Sequence, residues 1–104
     1  MAMEASEKKA GARNDSAELR KEAGKWLREL RVAIGLSQRV LAERVNMEYY
    51  TFISQIESGR GRIPSENIRD WAIALEVDPK EFAITLMRYY DPRTYELVFG
   101  DERE

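Results

Sequence analysis

Apolar residues recur every three to four positions along most of the chain, which is the spacing of one face of an α-helix. The first such stretch begins near Asp15. Glu18 follows three residues later, as in a capping box. Its apolar face consists of Leu19, Ala23, Trp26, Leu27, Leu30 and Ile34. A glycine after the last periodic residue favours termination, so the pattern predicts a long first helix that ends at Gly35.

Two short helices are predicted next, with a tight turn between them. Ser37 is a suitable N-cap for the second helix, whose end is predicted at Asn46 because asparagine tolerates left-handed backbone. The apolar positions of this helix are Val40, Leu41, Ala42 and Val45. The third helix is predicted from about Glu48 to Ser58, ending at Gly59. Its inner face is predicted to consist of Tyr49, Phe52, Ile53 and Ile56.

The second half of the chain predicts two or three more helices. After a loop over residues 60–64, Ser65 can cap a fourth helix, whose apolar positions are Ile68, Trp71, Ala72 and Leu75. Asp78 and Pro79 begin a fifth helix, and Asp91 with Pro92 repeats that start for a short sixth. No stretch shows the alternation of a β-strand. The predicted fold is therefore all-α, with five or six short helices.

Composition limits the chemistry that the chain can perform. It has 104 residues, of which 43% are apolar, enough for one core, and it contains neither cysteine nor histidine. The usual zinc ligands, thiolate nucleophiles and the commonest general base are thus missing, so we expect no metal, no cofactor and no enzymatic activity. No apolar run approaches the ~20 residues of a membrane span, and residues 1–10 lack the apolar core of a signal peptide. We expect a soluble cytoplasmic protein.

The distribution of apolar and polar residues divides the chain into three segments. Residues 1–14 are small and polar without an apolar period, and they are predicted to be a mobile arm. Residues 15–82 form the predicted folded domain. Residues 83–104 are a predicted helical extension.

Three groups of residues between Gly35 and Val77 occur in a recognisable order. The first is Leu36-Ser37-Gln38 followed by Leu41-Ala42-Glu43, and the second is Ile53-Ser54-Gln55-Ile56-Glu57 with Gly59. The third is Arg62 with Pro64-Ser65, before a helix that contains Ala72 and Leu75. In this combination the chain resembles the helix-turn-helix of the Xre/Cro and lambda-repressor family of DNA-binding regulators, over about residues 25–82. The resemblance implies a compact lambda-repressor-like domain that binds double-stranded DNA.

The outer face of the third helix suits base edges in a DNA groove. It is polar but uncharged and consists of Tyr50, Thr51, Ser54, Gln55 and Ser58. Glutamine can bond adenine with both ends of its amide, and serine and threonine pair with donors or acceptors. The resemblance implies base reading by Tyr50, Thr51 and Gln55, and Ser54 shares their face. The alternative is a polar face that is merely solvated.

Phosphate contacts are expected on both sides of the third helix. The resemblance implies that Gln38 bonds a phosphate and braces the third helix, at a helix N-terminus whose free amides favour an anion. It also places Arg60 and Arg62 beside the sugar-phosphate backbone, where they would position the protein without reading sequence. Arg39 is a further phosphate candidate, with an ordinary solvated role as its alternative.

The chain departs from the family pattern before the third helix. It has one residue more than the commonest spacing, and Asn46-Met47-Glu48 stands where the family usually has Gly-Val-Ser or Gly-Ile-Ser. The turn or the first turn of the third helix is expected to absorb this residue. Two roles stay open for Tyr49, which either packs inward or reaches a phosphate or base.

Large apolar residues are concentrated in the C-terminal segment. Such residues are enriched at the cores of protein interfaces, and a two-fold dimer doubles the DNA site that one helix-turn-helix reads. The predicted homodimer interface consists of Leu86, Met87, Tyr89, Tyr90, Tyr95, Leu97, Val98 and Phe99. The alternative is that these residues fold back onto the first and fourth helices.

Charge is distributed unevenly within a formal net charge of −2. Residues 20–64 carry nine basic and five acidic groups, a net of +4, whereas residues 65–104 carry five and ten, a net of −5. The basic half suits a duplex. We therefore predict a sequence-specific regulator, a repressor by occupancy, that binds an inverted-repeat operator as a homodimer. The alternative is a protein-binding antiactivator or antitoxin on the same scaffold, favoured by the acidic total, Glu48 and the aromatic C-terminus.

Overall fold

A computed structural model describes the backbone of residues 2–100 and the side chains of residues 16–100. Within residues 2–100 the chain forms six α-helices, one short 3-10 helix and no β-strand, so the all-α prediction is confirmed. The α-helices are α1 (Ala2–Ala33), α2 (Gln38–Arg44), α3 (Thr51–Glu57), α4 (Ile68–Ala74), α5 (Pro79–Tyr90) and α6 (Pro92–Phe99). The 3-10 helix (Ser65–Asn67) leads directly into α4.

Helix α1 begins earlier than the capping pattern predicts. Its backbone is helical from Ala2 rather than from Asp15. Alanine, glutamate and lysine, which favour helix, make up most of residues 2–10 and explain the earlier start. The predicted mobile arm over residues 1–14 lies outside the residues whose side chains are described.

Local capping sets the starts of α2 and α5 as predicted, but the predicted cap at Ser65 is wrong. Ser65 is the first residue of the 3-10 helix, and α4 begins only at Ile68 without a side-chain cap. The Ser37 Oγ accepts a hydrogen bond from the Val40 amide at 3.1 Å, and the Asp78 carboxylate accepts one from the Glu81 amide at 2.9 Å. Asn46 adopts the left-handed conformation, with φ of 58°, and ends the turn after α2. The helix-turn-helix is therefore built from short-range bonds that the sequence already contains.

Helix α3 begins at Thr51 rather than at Glu48, because the additional residue lengthens the turn before it. The predicted inner face is correct for Ile53 and Ile56, which are buried, and wrong for Tyr49 and Phe52, which are 57% and 44% exposed. Tyr49 lies before α3, so helical spacing does not place it, and Phe52 lies about 100° around the helix axis from Ile53. Phe52 then falls on the flank of α3, beside the buried direction.

Five helices and one loop contribute to a single apolar core. Its largest fully buried side chains are Leu27, Leu41, Val45, Ile53, Ile63, Trp71, Leu75, Phe82 and Leu86. Leu86 is only 1% exposed, so its predicted place in a dimer interface is wrong: it packs inside the protomer. Helix α6 lies outside this core and packs chiefly against α5. None of the described helices is long and apolar enough to cross a membrane.

Candidate nucleic-acid interface

Helix α3 presents one face to the core and the opposite face to solvent. Ile53, Ile56 and Glu57 are buried, whereas Thr51 and Gln55 are exposed and Ser54 is half-buried. The exposed face carries hydroxyl and amide groups without a formal charge. These groups can donate and accept hydrogen bonds at base edges.

A buried ion pair holds α3 against α1. The Arg31 guanidinium donates to both carboxylate oxygens of Glu57, from Nε at 2.7 Å and from Nη2 at 3.0 Å. Its Nη1 also donates to the Leu36 carbonyl oxygen at 2.7 Å, in the loop before α2. A two-pronged, charge-assisted contact of this kind fixes orientation as well as distance. The pair therefore sets the orientation of α3, and of its outer face, relative to α1.

Gln38 joins α2 to the same carboxylate. Its Nε2 donates to the Glu57 Oε1 at 3.1 Å, and the residue is the first of α2. The side chain thus lies at the N-terminus of α2 while it is bonded to the end of α3. This contact braces the two helices of the motif against each other.

Sequence reasoning missed the pairing of Arg31 with Glu57, although a signal was present. Arg31 follows the buried Leu27 by four residues, and Glu57 follows the buried Ile53 by four. A charged residue in the apolar register of a helix needs a partner, because an isolated buried charge is costly. Which partner it finds depends on how α1 and α3 cross.

Arg39 and Tyr50 form a contact across the helix-turn-helix. The guanidinium carbon of Arg39 lies 4.7 Å from the centre of the Tyr50 ring, within the range of a cation–π interaction. Tyr50 precedes the first residue of α3, and both side chains are exposed. The structure therefore brings together Arg39, which was predicted to contact phosphate, and Tyr50, which was predicted to contact bases.

Tyr49 and Phe52 form an exposed aromatic pair beside this contact. Their ring centres are 6.0 Å apart. Of the two roles left open for Tyr49, the structure excludes inward packing. Phe52 is a surface residue that sequence reasoning missed, since its apolar character alone suggested the core.

The loop after α3 carries the two predicted phosphate-binding arginines. It begins at Gly59, whose φ of 85° suits glycine, and the Gln55 carbonyl oxygen accepts bonds from the Arg60 and Gly61 amides. The Arg60 Nε donates to the Ser58 Oγ at 3.2 Å. The guanidinium carbon of Arg62 lies 4.5 Å from the centre of the Tyr90 ring. Both arginines are exposed.

The predicted interface residues of the C-terminal segment fall into three groups. Leu86 is buried, and Met87, Tyr89, Tyr90 and Tyr95 are half-buried. Tyr89 lies near Trp26 of α1, with ring centres 5.9 Å apart, so the fold-back alternative describes the α5 residues. Leu97, Val98 and Phe99 of α6 are exposed, and Leu97 is 85% accessible. Only this last group offers a free apolar face.

Comparisons with known proteins agree with this geometry. A model of the helix-turn-helix family matches residues 27–82, which include α2, α3 and α4. Among solved structures, the chain is similar to the restriction-modification controller protein C.AhdI from Aeromonas hydrophila. The identity is 36%, the alignment covers 64% of this chain and 94% of that chain, and the TM-score is 0.57. No curated protein matches the chain.

Proposed function

The chain belongs to the Xre/Cro-like helix-turn-helix family of DNA-binding transcriptional regulators, and from that premise we propose that α3 reads a specific duplex sequence in the major groove. One observation carries the proposal. The outward face of α3 offers Thr51, Ser54 and Gln55 to a ligand, while its inward face is locked to the core. The second helix of such a motif enters the major groove.

Base reading is assigned to the exposed residues of α3. The Gln55 amide suits the donor and acceptor pair of an adenine, and the Thr51 hydroxyl and methyl suit either a base edge or a thymine methyl group. The exposed ring of Phe52 adds apolar surface that can contact a thymine methyl group beside them. Tyr50 takes part together with the arginine stacked on it.

Phosphate binding is assigned to residues on both sides of α3. Gln38 and Arg39 lie in the first turn of α2, and Arg60 and Arg62 lie in the loop after α3. Contacts from these residues would set the register of α3 along the duplex. The acidic groups are concentrated after residue 64, so the charge distribution favours approach with the basic half toward DNA.

Selection of bound sequences from random duplex DNA tests the proposal directly. We expect an enriched inverted repeat, because two copies of the chain on a two-fold axis read the same half-site twice. Failure to enrich any sequence would contradict specific DNA binding and favour a protein partner. If added salt did not weaken duplex binding, that result would also contradict the proposal. Phosphate contacts release counterions, and this release makes the affinity fall as salt is added.

Replacement of Gln55 by alanine tests base reading on the selected sequence. The expected loss is about 1 to 3 kcal/mol of binding free energy, with relaxed preference at one base position. Binding is measured by fluorescence anisotropy against the selected site and its single-base variants. Asn67→Ala, in the 3-10 helix before α4, is the control and should leave the base preference unchanged. An unaltered preference in Gln55→Ala would remove Gln55 from the reading set.

Regulation by occupancy follows most simply from this architecture. A bound dimer would block access to the DNA beneath it, which makes the protein a repressor where its site overlaps a promoter. The similarity to a restriction-modification controller protein favours a more specific candidate, a regulator of restriction and modification genes. A reporter placed behind the selected site distinguishes repression from activation. The genes that follow that site in the genome test the controller role.

A further inference from the structure

Tyr90 makes two separate contacts with the loop after α3. Its hydroxyl oxygen accepts a hydrogen bond from the Ile63 amide at 3.3 Å, and its ring lies beneath the Arg62 guanidinium at 4.5 Å. Tyr90 is the last residue of α5 and packs against the core with part of its ring. Two consecutive loop residues are thus held by one aromatic side chain that is itself fixed.

The surroundings of Tyr90 keep this contact intact near neutral pH. Burial raises the pKa of the Tyr90 phenol above its ordinary value, although the Ile63 amide and the Arg62 charge oppose the shift. The phenol therefore stays neutral. The neighbouring Asp91 carboxylate, which caps α6, has its pKa lowered by hydrogen bonds from Thr94 and further by the charge of Arg62. Because Tyr90 ends α5 and Asp91 caps α6, the Arg62 guanidinium over the Tyr90 ring lies next to the junction of the two helices.

The other arginine of the loop has no comparable support from the C-terminal helices. Arg60 bonds Ser58, two residues away, and so stays within its own segment. Arg62 is held by a residue 28 positions further along the chain. An unsupported arginine loses much side-chain freedom when it binds a phosphate, whereas a stacked guanidinium has already lost part of it.

We propose that Tyr90 is a positioning residue for DNA binding, which presents the Arg62 guanidinium to the sugar-phosphate backbone. This inference rests on the phosphate contact assigned to Arg62 in the proposed function. It moves Tyr90 from the predicted dimer interface to the DNA-binding apparatus. The C-terminal end of α5 then contributes to the grip on DNA without touching it.

The salt dependence of binding to the selected duplex measures this role. Arg62→Ala is expected to reduce the slope of log affinity against log salt by about one unit, because one phosphate contact is lost. Tyr90→Leu removes the ring and should reduce the slope by a similar amount. Tyr90→Phe keeps the ring and loses only the hydroxyl, so its slope should stay close to that of the unaltered protein.

A double variant separates positioning from a general structural effect. In the Arg62→Ala background, Tyr90→Leu should cause no further loss of affinity, since the side chain that it positions is absent. Tyr89→Leu is the matched control: this tyrosine is also half-buried on α5 and has Arg88 at 5.5 Å from its ring. It faces Trp26 rather than the loop, so its salt slope should not change.

The outcomes distinguish the phosphate contact assigned to Arg62 from the positioning role of Tyr90. If Arg62→Ala leaves the slope unchanged, the assigned phosphate contact of Arg62 is wrong, and the positioning role fails with it. If Arg62→Ala reduces the slope while folded Tyr90→Leu does not, Tyr90 is not a positioning residue and the phosphate contact stands. Equal losses from Tyr90→Leu with and without Arg62 would also overturn the inference, because they would indicate weakened dimerisation or folding.

One measurement needs no substitution and decides the question if Tyr90→Leu does not fold. Stacking on an aromatic ring moves the side-chain proton resonances of an arginine upfield. The Arg62 δ-methylene protons of the free protein should be displaced relative to those of Arg60, and should stay displaced when duplex is added. Resonances of Arg62 that coincide with those of Arg60 would overturn the inference.

Discussion

Glu57 is a buried charged residue where α3 packs against α1. Its carboxylate is satisfied by Arg31 and Gln38, so three segments of the chain converge on one group. Such a pair contributes less to stability than its short distances suggest, because both charges lose hydration on burial. Its main effect is to define the orientation of α3.

Removal of one partner differs from the net contribution of the pair, and replacement of Arg31 by methionine should destabilise the fold strongly. The Glu57 carboxylate would stay buried without its countercharge, and the expected cost is about 3 to 5 kcal/mol of unfolding free energy. Urea denaturation measures it. The double variant Arg31→Met, Glu57→Leu should recover a large part of that loss, because no charge is then buried. A double variant less stable than Arg31→Met alone would contradict this account.

Gly24 is required by the close approach of α1 to the end of α3. A Cβ atom added there would collide with the Glu57 carbonyl oxygen and would lie 2.7 Å from the Ile56 carbonyl oxygen. Gly24→Ala should cost about 1 to 3 kcal/mol or more, because backbone atoms must move apart. Thermal unfolding measures this. Gly61→Ala is the matched control, since its Cβ would meet nothing closer than 3.6 Å, and an equal loss in both would contradict the collision.

At the scale of elements, the helix starts that carry a local N-cap were predictable. Ser37, Asp78 and Asp91 are N-caps where the sequence suggested them, because a cap depends on residues within one turn. The start of α3 was less predictable. Local residues around Glu48 are compatible with helix, and the turn length there is decided by where Ile53 and Ile56 enter the core.

The cap at Asp91 makes the start of α6 sensitive to acid. Hydrogen bonds from Thr94 lower the pKa of the Asp91 carboxyl below its ordinary value of 3.8. The stabilisation is therefore fully present above that value and is lost as the pH falls through the lower pKa of the folded state. The Thr94 amide resonance should titrate with a midpoint below 3.8. Asp91→Asn should abolish this titration, and a midpoint at or above 3.8 would contradict the assigned bond.

At the scale of the whole molecule, the candidate DNA contacts and the exposed apolar face of α6 lie on different elements. The basic segment that contains α2, α3 and the following loop carries the candidate DNA contacts. The apolar face of α6 lies at the other end of the chain and packs chiefly against α5. We expect the second copy of the chain to cover this face, which consists of Leu97, Val98 and Phe99.

Replacement of Leu97 by aspartate on the intact chain tests the dimer. Leu97 is 85% exposed, so the change should leave the fold stable while it places a charge in the proposed interface. Sedimentation equilibrium should show a shift from dimer to monomer. Ile73→Asp is the matched control, since Ile73 of α4 is 60% exposed outside this face. A Leu97→Asp variant that stays dimeric would place the interface elsewhere.

The sequence by itself determined the order of the helices, the caps at Ser37, Asp78 and Asp91, and the helix-turn-helix. These features depend on the periodicity of apolar residues and on hydrogen bonds within one turn, and both are set by residues close together in the sequence. It also indicated which residues face outward on α3 after the turn, because Ile53 and Ile56 set the inward direction.

Only the tertiary structure decided the contacts between distant segments. The pairing of Arg31 with Glu57, the exposure of Phe52, the burial of Leu86 and the stacking of Arg62 on Tyr90 depend on how helices cross. The type of a residue, apolar or charged, does not specify which distant residue it will contact. The partner is selected by packing, since each side chain meets those that the crossing angles bring within reach.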